Sequence, residues 1–237
     1  MTSPRQQLDA LWEQAQEARE PLDRVQALER MVEVADRSAD LTGGFGARLE
    51  LCRAAVTTQD TVKMLVAASW LLAHGDALEE RRDQLAAERR SVWHVYPFGL
   101  LQICKTVTHF AHTVPEVSRA QIEGIFAQAI ALYTRHGATL RSLLDNRTVA
   151  AMAMGEPAEL VNQYNREWDA ADGGFMADCV ACDRSAQVHR ALYRGELDAA
   201  LVLAAPIVAG QLCCSDVPQG TLATLCLALF EHGDREV

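Results

Sequence analysis

Apolar residues return every three or four positions along nearly the whole chain. In "QQLDALWEQAQEA", Leu8, Leu11, Trp12 and Ala15 fall on one face, with Gln and Glu opposite, the pattern of an amphipathic helix. "LDRVQALERMVEVADR" repeats it with Leu22, Val25, Leu28, Val32 and Val34 among polar residues. Pro21 stands just ahead, where a first helical turn accepts a residue without an N–H. Strand-like alternation bounded by turn residues is absent over any useful length. The pattern predicts an all-α chain.

The breakers between these segments carry a second period. Gly75, Gly155, Gly195 and Gly233 are separated by 80, 40 and 38 residues, and Pro115 stands midway through the long gap. Further breakers fall between each pair, at Gly137, at Gly173-Gly174 and in the 210–218 region. Half-periods near twenty residues are what antiparallel helix pairs produce when they are repeated along a chain. One helix pair cannot bury both of its apolar sides, so stacking neighbours supplies the core. The expectation is a single array over 1–237, with N-terminal helices in 1–60 and repeats through 60–237. No linker or change of composition divides it. The run "EERRDQLAAERR" reads as a charge-laced helix with a solvated face.

Composition narrows the function classes. Hydrophobic residues make up 49% and aromatics 6%, so Ala, Leu and Val carry the packing, as suits closely approaching helices better than a sheet. A net charge of −10 argues against nucleic acid and against anionic membranes as partners, because phosphate binding needs a basic footprint. No apolar stretch reaches the ~20 residues that span a bilayer. The start "MTSPRQQLDALWEQAQEARE" lacks a basic region followed by an apolar run. A cytoplasmic location is expected, where stable disulfides are uncommon. Seven cysteines would leave one unpaired in any full disulfide scheme, which favours metal binding or buried thiols.

Four of the seven lie in "DCVACDRSAQVHRALYRGELDAALVLAAPIVAGQLCCSD", residues 178–216. If "SAQVHRALYR" is one helix and "LDAALVLAAPIVAG" returns from Gly195, arms of roughly 12 to 14 residues rise about 18 to 21 Å and come back. Cys179 and Cys182 precede the first arm, and Cys213 and Cys214 follow the second, so the hairpin brings both pairs to one end. Cys-x2-Cys is a common spacing for two ligands of a tetrahedral zinc ion, and a helix N-terminus favours thiolate over thiol. Cys214, Cys213, His189, Asp183 and Asp216 are candidates for the remaining positions. The expected cofactor is a structural zinc fastening a helix pair at 178–218. Buried thiols without metal, and a redox-active Cys179/Cys182 dithiol or switch, are the competing readings.

"YRGELDAAL" resembles the turn between the two helices of a tetratricopeptide repeat, with Gly195 at the turn and Ala200 at the close-packing position. The chain as a whole resembles a divergent tetratricopeptide-like α-solenoid of stacked antiparallel helix pairs. "DCVACD", "GELDAALVLAAPIVAG" and "CSDVPQ" together resemble the C-terminal part of a group of tetratricopeptide-like proteins common in actinobacteria. "VPEVSRAQIEGIFAQAIALYTRHG" and "REWDAADGGFMADC" extend that likeness over about 90–237. The resemblance implies a helical-repeat fold, and it implies Cys214 as the third thiol beside Cys179 and Cys182.

Other features have functional and bland readings side by side. Trp93 and Tyr96, with Lys105 behind them, could line a groove that grips a peptide, or they could pack between helices. His109 and His112 share a helix face, without an evident third ligand. Cys52, Cys104 and Cys226 sit in apolar runs, where free cysteine packs as a small hydrophobe. Glu167, Asp169 and Asp172 are acidic groups upstream of the thiols that also suit a polar helix end. No phosphate loop, Gly-x-Ser-x-Gly elbow, His-Glu-x-x-His or dinucleotide fingerprint is present. The expected function is a protein-interaction scaffold or regulator with an unidentified protein or peptide partner. A thiol-based redox sensor or enzyme using the Cys179/Cys182 and Cys213/Cys214 cluster is the alternative, and oligomeric state is left open.

Overall fold

The structure is a computed structural model that describes residues 2–87 and 95–233. Thirteen α-helices and no strands occur among the described residues, and neighbouring helices pack in pairs. The chain divides into two compact units, Met1–Met176 and Ala177–Val237. No helix among the described residues is long and apolar enough to cross a membrane.

The first unit holds α1 (Pro4–Glu17), α2 (Pro21–Arg37), α3 (Leu41–Thr57), α4 (Thr61–Ala73), α5 (Gly75–Glu79), α6 (Arg82–Ala87), α7 (Phe98–Phe110), α8 (Arg119–Arg135), α9 (Arg141–Ala153) and α10 (Ala158–Ala170). Their starts are written in the sequence. Ser3 and Ser118 each accept from the backbone of Gln6 or Gln121, whose side chain returns the bond, and Asp40 and Asp60 cap α3 and α4 through Gly43 N and Lys63 N. Each such cap satisfies N–H groups that a helix start leaves without partners. Pro21 opens α2 as expected.

Helix α3 is the centre of this unit. Phe45, Ala47, Leu49, Leu51, Cys52, Ala54 and Ala55 are all buried, and α2, α4 and α7 pack around it. A helix covered on all sides loses the one-sided pattern of a surface helix. The rest of the core continues through Leu28, Met64, Leu71, Leu101 and Tyr133, whose hydroxyl donates to the Leu101 carbonyl at 3.1 Å. Arg48 lies over the Trp70 ring at 3.9 Å and holds Asp36 at 2.8 Å. Arg141 lies over the Trp168 ring at 3.8 Å and donates to the carbonyls of Trp168 and Ala171.

The second unit holds α11 (Val180–Tyr193), α12 (Leu197–Val208) and α13 (Gln219–Glu231). Helices α11 and α12 pack together, and α13 packs on both. The turn between α11 and α12 passes through Gly195 at φ 74, a left-handed position where Gly carries no Cβ penalty. There the Glu196 N–H donates to the Ala191 carbonyl at 2.9 Å, closing the end of α11. The predicted breaks at Gly137, Gly155 and Gly210 also take positive φ. Gly75 differs, since it opens the short α5 instead of ending a helix.

Candidate metal centre

The sulfurs of Cys179, Cys182 and Cys214 lie within 4.8 Å of one another. Cys182 and Cys214 are 3.5 Å apart, although 32 residues separate them in the chain. The hairpin geometry explains this meeting: α11 leaves from one end, α12 returns to it, and the connection to α13 begins there. Cys179 is the N-cap of α11, with its sulfur accepting from the Cys182 N–H at 3.5 Å. Cys182 therefore sits inside the first turn of α11, one step further in than the sequence suggested. Cys214 sits in the α12–α13 connection, held in a tight turn by its N–H donating to the Val217 carbonyl at 2.9 Å.

A small apolar cluster of Ala181, Ile207 and Val217, with Leu212 at its edge, packs beside Cys182 and Cys214. Burial raises the Cys182 thiol above its ordinary pKa, and hydrogen bonding with the Cys214 and Cys179 sulfurs adds to that rise. Cys214 moves the other way, chiefly because the Asp216 backbone N–H points at its sulfur, with help from the Cys182 thiol and the Val217 N–H. Donors aimed at a sulfur stabilise its charged form. Cys214 is thus the sulfur whose surroundings favour negative charge, while Cys182 keeps its proton unless a cation takes the proton's place.

The distances suit a metal. Thiolates at ~2.3 Å from a tetrahedral zinc stand about 3.8 Å apart; Cys182 and Cys214 are at 3.5 Å and no sulfur pair of the trio exceeds 4.8 Å. Three cysteines with their sulfurs this close could hold a metal ion.

The other candidates are placed differently. Cys213 is exposed and lies outside the trio, and no histidine or carboxylate among the described residues joins it within the same distance. His189 lies seven residues beyond Cys182, roughly 10 Å along α11, with its Nε2 paired to the Thr224 hydroxyl at 3.2 Å. Asp183 and Asp216 remain neighbours in sequence without entering the group.

Of the predicted groove residues, Trp93 lies outside the described residues. Tyr96 is 5% exposed, and its ring meets Phe45 and His136 edge-on while its hydroxyl donates to the Gly75 carbonyl at 3.3 Å. A ring placed in that way packs the interior and offers little surface to a peptide. Lys105 is half-buried on α7. His109 pairs with Asn146 at 3.2 Å, and burial lowers the pKa of His112. Cys52 and Cys104 are buried, and burial pushes both thiols up to about 12, so they stay protonated packing groups. Cys226 is exposed, against the expectation of a buried thiol.

The sequence reading missed the backbone donors at Asp216 and Val217. A cysteine followed closely by "SDVP" was the available signal, because that run favours a turn which folds N–H groups back towards the sulfur. The chain matches no protein-family model, no curated protein and no solved structure.

Proposed function

We propose that the protein is an interaction scaffold built as a tetratricopeptide-like helical-repeat array, with its last helices fastened by a zinc ion on Cys179, Cys182 and Cys214. The meeting of three sulfurs at the shared end of α11 and α12 carries the zinc reading. The repeat reading is supported by helix spacing. Helices α7, α9, α11 and α13 begin at Phe98, Arg141, Val180 and Gln219, close to the forty-residue interval of the breakers. In addition, α7 packs on α9 and α11 packs on α13, the alternate-helix contacts that stacked pairs generate. A stacked array leaves a long face on which protein partners commonly dock. Zinc would neutralise two of three thiolate charges and tie α11 to the α12–α13 connection. Its fourth ligand would be water or a group such as Cys213 that reaches in.

Elemental analysis of the purified chain should find about one zinc, and Cys182→Ser should abolish it while leaving the first unit folded. Metal-free protein in which Cys179, Cys182 and Cys214 all react freely with a thiol reagent would remove the proposal. The 3.5 Å separation of Cys182 and Cys214 favours a second reading, a thiol redox switch. That reading predicts a Cys182–Cys214 disulfide in metal-free protein treated with oxidised glutathione.

A further inference from the structure

A cavity of about 470 Å³ opens in the first unit, walled by residues of α2, α3 and α7 and of the α1–α2 connection. Its charged lining residues are Arg19, Arg24 and Arg53, and no carboxylate lines it among the described residues. That is a sharp local contrast in a chain whose formal net charge is −10. Glu50 does not line the cavity, but it organises the rim. Its side chain is 1% exposed and accepts from Arg24 Nη2 at 2.9 Å and Arg53 Nη1 at 3.1 Å. A guanidinium has five N–H donors in a fixed fork, so the contacts with Glu50 occupy only part of each arginine's donor set. A carboxylate buried on α3 thus fixes two cations at a cavity wall before any ligand arrives, which lowers the ordering cost of binding.

Charge and size narrow the ligand. The three guanidinium groups give this wall a positive charge, which suits a phosphate monoester, a dianion above its second ionisation near pH 6. The forked donors of arginine match phosphate oxygens well. Cavities of roughly 300–1,000 Å³ are typical for small molecules, and the volume here exceeds what inorganic phosphate alone would fill. Leu49 and Ile103 supply apolar wall, and Gln102 adds a neutral polar group. We propose that this cavity binds a small organic phosphate monoester, its phosphate against the three arginines and its organic part against Leu49 and Ile103. The proposal is independent of the metal reading, since every residue it uses lies in the first unit.

Titration calorimetry on the full chain with phenyl phosphate, inorganic phosphate and phenol tests it, at low salt and at a pH about one unit above the second phosphate ionisation. Phenyl phosphate should bind saturably at one site, about tenfold tighter than inorganic phosphate, and phenol should not bind. Arg19→Gln is the safest variant, because Arg19 is exposed and joins no ion pair among the described residues. It should weaken phenyl phosphate about twofold to fivefold, the range that one exposed charge pair supports. Arg53→Gln should weaken it further, with an unchanged circular dichroism spectrum. Lowering the pH by about two units should loosen binding several-fold as the phosphate gains a proton. Equal binding of phenol and phenyl phosphate, an unchanged affinity in Arg19→Gln, or no saturable binding would each overturn the proposal. If Arg53→Gln does not fold, the probe comparison and Arg19→Gln still decide it.

Discussion

The two units bury very different interiors. In Met1–Met176 the largest fully buried side chains include Trp168, Tyr133, Phe45, Phe126, Met64 and a series of leucines. In Ala177–Val237 the described residues bury only eight apolar side chains, and four of them are alanines: Ala181, Ala191, Ala200 and Ala204. The second unit also places a hydroxyl pair in its interior, Ser185 and Thr221 at 2.6 Å. Small interiors of this kind rarely hold a fold together without a disulfide, a metal or some other cross-link. All the cysteines among the described residues are free, and the sulfur trio stands in the unit that has the smaller core. A large apolar interior makes a fastening unnecessary, whereas a small one makes it consequential.

If the sulfur trio holds zinc as proposed, removing the metal should act on one unit only. Zinc on thiolates contributes roughly 10 kcal/mol or more to small domains at neutral pH. Chelation should release amide hydrogen-exchange protection throughout α11, α12 and α13 while α3 and α7 keep theirs. Protection lost equally in both units, or in neither after confirmed metal removal, would break the contrast.

The opposite asymmetry should follow from a cavity in the large core. Phe45 is 1% exposed on α3 and meets the Tyr96 ring edge-on at 6.2 Å. Phe45→Ala should cost about 3–5 kcal/mol in the first unit, read as a lower denaturant midpoint, with the zinc content unchanged. Loss of zinc in that variant would mean that the metal depends on the large core.

Within the second unit, Thr221→Val should cost about 1–3 kcal/mol, because it leaves the Ser185 hydroxyl buried without its partner. Chemical denaturation followed through α11–α13 exchange measures it. A neutral result would show that water enters beside Ser185, and that this interior is looser than its contacts suggest.

How much of this was legible from the residues divides along the same line. The hairpin that joins the thiols could be drawn because Gly195 marks its turn and arms of similar length return to the same end. In the N-terminal half the turns were hidden. Helices α2 and α3 end on Ala39 at φ 53 and Gln59 at φ 59, so counting glycines passes over both. The next residues, Asp40 and Asp60, cap α3 and α4, and that pair of aspartates twenty residues apart was the readable sign. Tyr96 could not be assigned to core or groove, because an aromatic at helical spacing serves either and only its neighbours decide. Glu50 is the one acidic residue of α3, and its meeting with Arg24 depends on how α2 lies against α3, which no local pattern specifies.

The smallest expected effect sharpens the comparison at its turns. Gly195 and Ala39 do the same work at φ 74 and φ 53, ending α11 and α2 with a left-handed residue. The following N–H reaches back across the turn in both, from Glu196 to Ala191 and from Asp40 to Ala35, at 2.9 Å each. A Cβ at Gly195 would meet nothing within 4 Å, so replacing it tests backbone conformation alone. The left-handed position costs an L-residue roughly 1–2 kcal/mol, and the lower freedom of alanine in the unfolded chain returns about 0.4–1 kcal/mol. Gly195→Ala should then destabilise the second unit by about 1 kcal/mol, and Ala39→Gly should stabilise the first by a similar amount. Denaturant midpoints of the zinc-loaded chain, read from exchange in α11 and in α2, give both values. If Gly195→Ala costs several times more than Ala39→Gly gains, the turn also bears on the closure of the sulfur site at the far end of the hairpin; equal and opposite shifts mean that the turn acts through its own backbone conformation and leaves that site alone.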